Sequence, residues 1–293
     1  MIAVPVMRPR LPVVDDVAPY LRQMDARRQY SNFGPLVYEL ERRYAERFHV
    51  DPDRVVACAN ATLGLQGAVA VTGARTVHCP AWTFAATPLA IAGAGATVTF
   101  HDVAEDDWQV AAPAPNGADA LMPVLPFGAE IPRDRWSGWD EVVIDAAASG
   151  GARDRDLSLL PAGWSVVLSL HATKVLGSGE GGIVVFGDAQ RALRFREYTV
   201  LGFADRRESD VRGTNAKLSE AGAAYALAAL DGWEREESDW SCSRRLALDA
   251  EALLGVGSVC SRYPGVSPYW VVDLGSVPRL EECRTALDAA GVE

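Results

Sequence analysis

The stretch "SLHATKVLGSGEGGIVVFGD" (residues 169–188) sets one lysine, Lys174, between a histidine and a glycine-rich turn, with a β-branched apolar run just beyond. Its two flanks, "SVVLSL" (165–170) and "GGIVVFG" (181–187), read as strands, and the glycines between them as the turn that joins them. Upstream, "RVVAC" (54–58), "ARTVHC" (74–79), "ATVTF" (96–100), "DALMPV" (119–124) and "DEVVID" (140–145) are further strand candidates. Helical stretches such as "ATLGLQGAVAV" and "TFAATPLAIAGA" fall between them. Strands alternating with helices predict an α/β fold with a mainly parallel sheet covered on both faces.

From Pro35, "PLVYELERRYAERF" carries apolar residues at helical spacing, with proline at a plausible first turn. The opening "MIAVPVMRPRLPVVDD", with three prolines, reads as an arm or edge segment. After about Asn215 the texture changes to a long alanine-rich helical stretch, broken near Gly232. One strand, "PYWVVDL" (268–274), and a last helix, "SVPRLEECRTALDAAG", follow. The expected organisation is a large α/β domain over 1–220 and a smaller, helix-led domain over 221–293.

Composition excludes several classes of function. The chain has 293 residues, 49% of them hydrophobic, enough for a substantial core. No apolar run reaches the roughly 18 residues of a membrane helix, and the start lacks a secretory pattern. A net charge of −11 with no concentrated basic patch argues against nucleic acid as a partner. Cys58, Cys79, Cys242, Cys260 and Cys283 show no CxxC spacing and read as reduced thiols of a cytoplasmic protein. His49, His78, His101 and His171 form no ligand pair at helical spacing, so no metal site is expected.

The candidates for chemistry follow successive strands. Asp145 ends "DEVVID", where open α/β sheets bind ligands, although a turn or helix-capping aspartate would look the same. Ser169, His171 and Lys174 follow the next strand. A lysine between a buried strand and a glycine turn can be desolvated into an amine nucleophile, whereas an isolated lysine is ordinarily a solvated charge. The glycine run lacks the GK[ST] ending of a P-loop. "NATLGL" (60–65) opens a helix whose amides could hold a phosphate, and Thr62 could equally be a plain N-cap. Trp82 and Phe84 follow another strand end and could be core or could stack on a planar ring. Asn215 reads as a turn or cap residue. Arg206, Arg207 and Arg212 are candidates for an acidic ligand or a solvated loop.

Together these motifs resemble the DegT/DnrJ/EryC1/StrS sugar aminotransferases. "SLHATKVLGSGEGG" is similar to their S-x-H-x-T-K-x-x-x-x-G-E-G-G signature. "SNFGPLVYELE", "NATLGLQGA", "PAWTFAATPLAIAGAGATVTFHDV", "MPVLPFG", "VVIDAAAS" and "GTNAKLSE" follow the family pattern in the same order. The resemblance implies the type I fold of the pyridoxal 5′-phosphate (PLP) transferases, aspartate aminotransferase-like, with a small C-terminal domain that is short beside the family's. It implies that Lys174 bonds to the cofactor aldehyde and then shuttles a proton, and that Asp145 pairs with the pyridine nitrogen. Phe84 would stack on the ring. The amides of Thr62 and Leu63, with the Ser169 hydroxyl, would hold the phosphate, and His171 would lie near the cofactor. Asn215 would reach the cofactor of a partner subunit in a homodimer, and Asn32 and Gly34 would lie beside the substrate.

A lysine rather than a histidine at 174 implies amino transfer, from an amino acid such as L-glutamate to a nucleotide-linked keto-sugar. "NFGPLVYELE" and "GTNAKLSE" look closer to members acting on dTDP-4-keto-6-deoxyhexoses. Ala148 departs from the glutamine or histidine of many members. That departure and the short C-terminus motivate an alternative, a PLP-binding protein without turnover. A Rossmann dehydrogenase is disfavoured, since no G-x-G-x-x-G follows the first strand.

Overall fold

The computed structural model describes residues 5, 7–111, 117–150, 156–204, 208–209, 212–274 and 277–292. Arg206 and Arg207 lie outside these residues. Seven strands make the main sheet: β1 (Val55–Cys58), β2 (Thr76–Pro80), β3 (Thr97–His101), β4 (Ala120–Leu121), β5 (Val142–Asp145), β6 (Trp164–Ser169) and β7 (Gly182–Phe186), in the order β1-β7-β6-β5-β4-β2-β3. Strands β3, β2, β4, β5 and β6 pair in parallel, and β7 pairs antiparallel with both β6 and β1. Strand β1 therefore runs with the parallel set, and β7 alone in this sheet is reversed. The reversal follows from the connection, because the segment between Ser169 and Gly182 contains no crossover helix of the kind a parallel return needs.

Side chains alternate cleanly between the two faces. Val55, Ala57, Ile183, Val185, Val142 and Ile144 join one core, and Val56, Cys58, Val184, Phe186 and Val143 join the other. The first core is closed by α1 (Val14–Arg27), α2 (Pro35–Phe48) and α7 (Glu220–Asp231). The second is closed by α3 (Ala61–Thr72), α4 (Ala86–Gly93) and α6 (Ala189–Thr199). A short α5 (Arg133–Trp136) buries Trp136 against Trp164 at the first core. Both faces are covered, which is why the strands read as nearly continuous apolar runs.

Two local readings change, and a third stands. Helix α1 begins at Val14, inside the stretch read as an arm, and tolerates Pro19 in its second turn. The strand expected over 268–274 is only β9 (Val272–Asp273), paired antiparallel with β8 (Gly257–Ser258). Pro268 has no N–H for a ladder, and Tyr269 and Val271 turn toward a cavity instead. The alanine-rich stretch breaks at Gly232, between α7 and α8 (Trp233–Leu254), and α9 (Val259–Arg262) and α10 (Val277–Ala289) complete the chain.

Helix α7 also ties down an early turn. Its first residue, Glu220, is buried, accepts from the N–H groups of Leu36 (2.9 Å) and Val37 (3.0 Å), and donates its own N–H to Tyr30 O (3.1 Å). Those bonds satisfy the orphan amides of α2. Gly34 fits there because a Cβ would stand 2.5 Å from the Glu220 carboxyl carbon.

Candidate active site

All strands of the main sheet except β7 end on the same edge, and the chemistry-bearing residues follow those ends. A cavity of about 880 Å³ opens there, lined by Thr62, Leu63, Phe84, Asp145, Ser169, His171 and Lys174 together. Asn215, Asn32 and Gly34 do not line it. Asn215 and Asn32 are exposed, and Gly34 is buried against Glu220. Asn215 bridges to Val200, and its neighbour Ala216 accepts from the Ala59 N–H at 2.8 Å, just before α3.

Lys174 is placed by a tightly folded loop. Its N–H donates to His171 O (2.8 Å) and its carbonyl accepts from Gly177 N–H (2.9 Å). Beyond it, Ala172 N–H donates to Gly179 O (2.8 Å) and Ser178 N–H to Leu170 O (2.9 Å). The chain can fold back this closely because a Cβ on Gly177 would stand 2.6 Å from Ala172 O, and because Gly179 adopts a φ of +107°. The glycines thus shape the lysine loop.

Asp145 closes β5 and is 5% exposed. Thr87 Oγ1 donates to Oδ2 (2.7 Å), and Ala147 N–H donates to Oδ1 (3.1 Å). The Thr87 proton is committed to Asp145, so Thr83, 2.7 Å behind, donates in turn to Thr87. Burial raises the carboxyl above the ordinary carboxylate range, against the opposing pull of Thr87, Ala147 and the Lys174 charge. Burial also lowers the Lys174 ammonium, against the pull of Asp145. Each charge senses the other, and neither is fully compensated. An amine of lowered pKa is available as a nucleophile closer to neutrality than free lysine.

Next to this pair, α3 presents its N-terminus. Asn60, not Thr62, is the N-cap, and its Oδ1 accepts the N–H of Leu63 (2.9 Å). The amides of Ala61 and Thr62 stand in the first turn, where the helix offers them no carbonyl. Ser169 Oγ accepts from His171 N–H (3.2 Å), which leaves the hydroxyl proton to donate elsewhere. Thr173 N–H donates to His171 Nδ1 (3.3 Å), which assigns the proton of a neutral imidazole to Nε2, on the side of Glu180 (3.7 Å).

Gly182 lets the helix end approach the sheet. A Cβ there would meet Ala61 N and Asn60 C at 2.9 Å, so Gly182→Ala must displace the α3 N-terminus by a few tenths of an ångström. The expected result is an affinity of this helix end for a phosphate-bearing ligand about tenfold weaker, since the first amides of a helix are the groups that would bind it. Fluorescence titration of both proteins checks this, and equal affinities would remove the helix end from the site.

Sequence reasoning passed over several residues. Thr87 gives no local signal of its role, because Asp145 is distant in sequence. Tyr269 and Val271 reach the cavity from a segment without a catalytic pattern, and Phe127 reaches it from the "MPVLPFG" stretch, in which the sequence singles out no residue. Arg212 supports the fold instead, its guanidinium donating to Ala94 O (2.9 Å) and Gly93 O (3.3 Å) at the C-terminus of α4. Among the described residues, no group of three or more His, Cys, Asp or Glu could hold a metal, and no helix is long and apolar enough to cross a membrane.

A sheet whose co-directed strand ends gather a lysine, a buried carboxylate and a helix N-terminus has the type I fold of the PLP-dependent transferases. Residues 14–245 match the DegT/DnrJ/EryC1/StrS aminotransferase family, and the chain belongs to that family. The dTDP-4-amino-4,6-dideoxy-D-glucose transaminase of Shigella dysenteriae is 29% identical over 239 residues, covering 77% of this chain and 64% of that relative. DesI, solved in the presence of its TDP-sugar product, is 31% identical with a TM-score of 0.82, covering 98% of this chain and 77% of that one. A DegT DnrJ EryC1 StrS aminotransferase from Brucella abortus is 26% identical with a TM-score of 0.79, covering 94% and 79%. The chain spans somewhat less than two thirds of the length of the Shigella relative.

Proposed function

We propose that this chain forms a sugar aminotransferase that moves an amino group from an amino acid, L-glutamate, to a nucleotide-linked keto-sugar. The observation that carries this reading is the Lys174–Asp145 pair, two oppositely charged groups that burial perturbs in one cavity. The cofactor that family membership implies is PLP, and the residues present fit it. Asp145 is a buried carboxylate whose hydrogen bonds come from neutral donors, as expected of a group that receives a cationic ring nitrogen. The first amides of α3 and the Ser169 hydroxyl suit a phosphate. Phe84, 82% exposed, is free to cover a ring, and His171 lies at the same cavity.

When bound, PLP supplies an electrophilic aldehyde and an electron-withdrawing ring. Lys174 Nζ is the nucleophile and then the proton carrier, favoured in both roles by its lowered pKa. Asp145 holds positive charge on the ring nitrogen, and Thr87 and Thr83 hold Asp145. Ser169 and the amides of Ala61 and Thr62 fix the phosphate.

The dTDP-4-keto-6-deoxyhexose class is our preferred acceptor, since the Shigella relative is named for a dTDP-linked amino sugar and DesI was solved with a TDP-sugar. We assign the site to a cytoplasmic homodimer with the cavity at its interface. The exposed Asn215 would reach across to the partner's cofactor, and Asn32 and Gly34 would approach the substrate from the held turn. We assign residues 1–220 to the large domain and 221–293 to the small one, whose first helix, α7, packs on the first core of the large domain.

The test is the absorbance spectrum of the protein with added pyridoxal phosphate, before and after L-glutamate. A visible band that L-glutamate abolishes supports the proposal. A band untouched by L-glutamate and other amino acids would favour cofactor binding without turnover, for which Ala148 beside the cavity is the motivating residue. Failure to develop any band would overturn both.

A further inference from the structure

Beyond residue 245, where the family match ends, the chain returns to the cavity. Arg262 Nη1 donates to Glu105 O (3.3 Å), and its guanidinium carbon lies 4.4 Å from the Trp108 ring centroid. Tyr263 Oη donates to Asp107 O. Gly265 meets Gly128 backbone to backbone, so that a Cβ on Gly265 would stand 2.5 Å from Gly128 O. These contacts dock the segment from 262 onward against loops that follow the sheet.

The docked segment puts Tyr269 into an aromatic row. Its ring meets Phe127 edge-on at 6.0 Å, and Phe127 meets Trp82 the same way at 6.0 Å. All three line the cavity that holds Lys174 and Asp145. The next residue is anchored: Trp270 Nε1 donates to Glu251 Oε1 (3.3 Å), and Ser258 Oγ donates to the same oxygen. Glu251, near the end of α8, is 5% exposed. Burial pushes its carboxyl up, but hydrogen bonds from Ser258, Ser261 and Trp270 more than offset this and leave it lowered, hence ionised at neutral pH. A buried anion with this many donors is a fixed point, and Tyr269 is next to the residue it holds.

We propose that Tyr269, at the end of the row that runs through Phe127 to Trp82, is the specificity-determining residue that receives the carbon–hydrogen face of the acceptor sugar ring, with Glu251 as the positioning residue that seats it. The sugar is the matching group because the carbon to be aminated belongs to it and must come to Lys174, which shares the cavity. An amino-acid donor has no such ring and does not need this wall. The inference rests on the proposed nucleotide-sugar acceptor.

Calorimetric titration of the cofactor-loaded protein with dTDP-glucose, a nucleotide sugar without a keto group, separates binding from turnover. Tyr269→Ala is expected to weaken binding about tenfold and Tyr269→Phe to leave it unchanged. Glu251→Leu is expected to weaken binding to a similar extent. Glu251→Gln, which keeps an acceptor oxygen, should restore it to within about twofold. Wild-type affinity in Tyr269→Ala would overturn the inference alone. A wild-type protein that responds to L-glutamate yet binds no nucleotide sugar would overturn the acceptor reading and this inference with it.

Discussion

Replacing Lys174 with alanine is expected to leave the fold intact and, under the proposed function, to reduce amino transfer by at least about 10³-fold, because one side chain would serve as both nucleophile and proton carrier. The residue lies in a loop held by backbone bonds, Lys174 N–H to His171 O and Gly177 N–H to Lys174 O, which alanine keeps. The variant should still take up pyridoxal phosphate without covalent attachment, so that the cofactor is lost on dialysis. Lys174→Arg is the sharper control, since it retains the positive charge but cannot shed its proton. Covalent capture by the wild type should rise with pH through a midpoint below that of free lysine, as the lowered amine pKa requires. It should fall away as pH drops through that midpoint, where the amine becomes protonated. Wild-type turnover in Lys174→Ala would sink the assigned chemistry.

The second large effect is a separation of stability from activity at Asp145. The folded carboxyl titrates above its ordinary value, so the folded state binds the proton more tightly than the unfolded chain. Stability is therefore lost as pH rises from the ordinary carboxylate range through the raised pKa, and an ionised Asp145 is a cost at neutral pH. Asp145→Asn removes the charge and can keep both contacts if its oxygen accepts from Ala147 N–H and its amide nitrogen donates to Thr87, whose own proton then turns to Thr83. Lys174 accommodates the loss of its counter-charge by deprotonating more readily.

We expect the cofactor-free variant to melt higher than the wild type at neutral pH, with the difference vanishing below the ordinary carboxylate range. Turnover should fall about 10³-fold, since under the proposed function Asp145 would face a charged ring nitrogen that a neutral amide cannot balance. Thermal scans at several pH values and initial rates check the two halves separately. A stability difference independent of pH would show that the charge is not its source.

The extent to which the sequence was legible follows from the range of each interaction. The buried strands carried their own signal, because coverage on both faces makes each one a short apolar run, as in Val142–Asp145 and Gly182–Phe186. The residues directly after those strands were legible for the same reason: a strand end fixes where its next side chain stands. Helix α1 was harder to read, with Pro19 inside it and Val17 its one fully buried residue. Thr62 and Asn60 are both competent caps, and only the helix start at Ala61 chose between them.

What the sequence by itself determined was the succession of strands and helices and the set of side chains delivered to one sheet edge: Thr62, Phe84, Asp145, Ser169 and Lys174. Those placements depend on local periodicity and on the rule that co-directed strands end together. Only the tertiary structure decided who surrounds them. Thr87 reaches Asp145 from the start of α4, two strands away in the sheet, Glu220 holds the turn at residues 30–37 from the start of α7, and Glu251 and Trp270 bring Tyr269 back to the cavity. Each is a pairing of buried polar groups that must find partners once water is excluded, and the chain alone does not say which partner folding will supply.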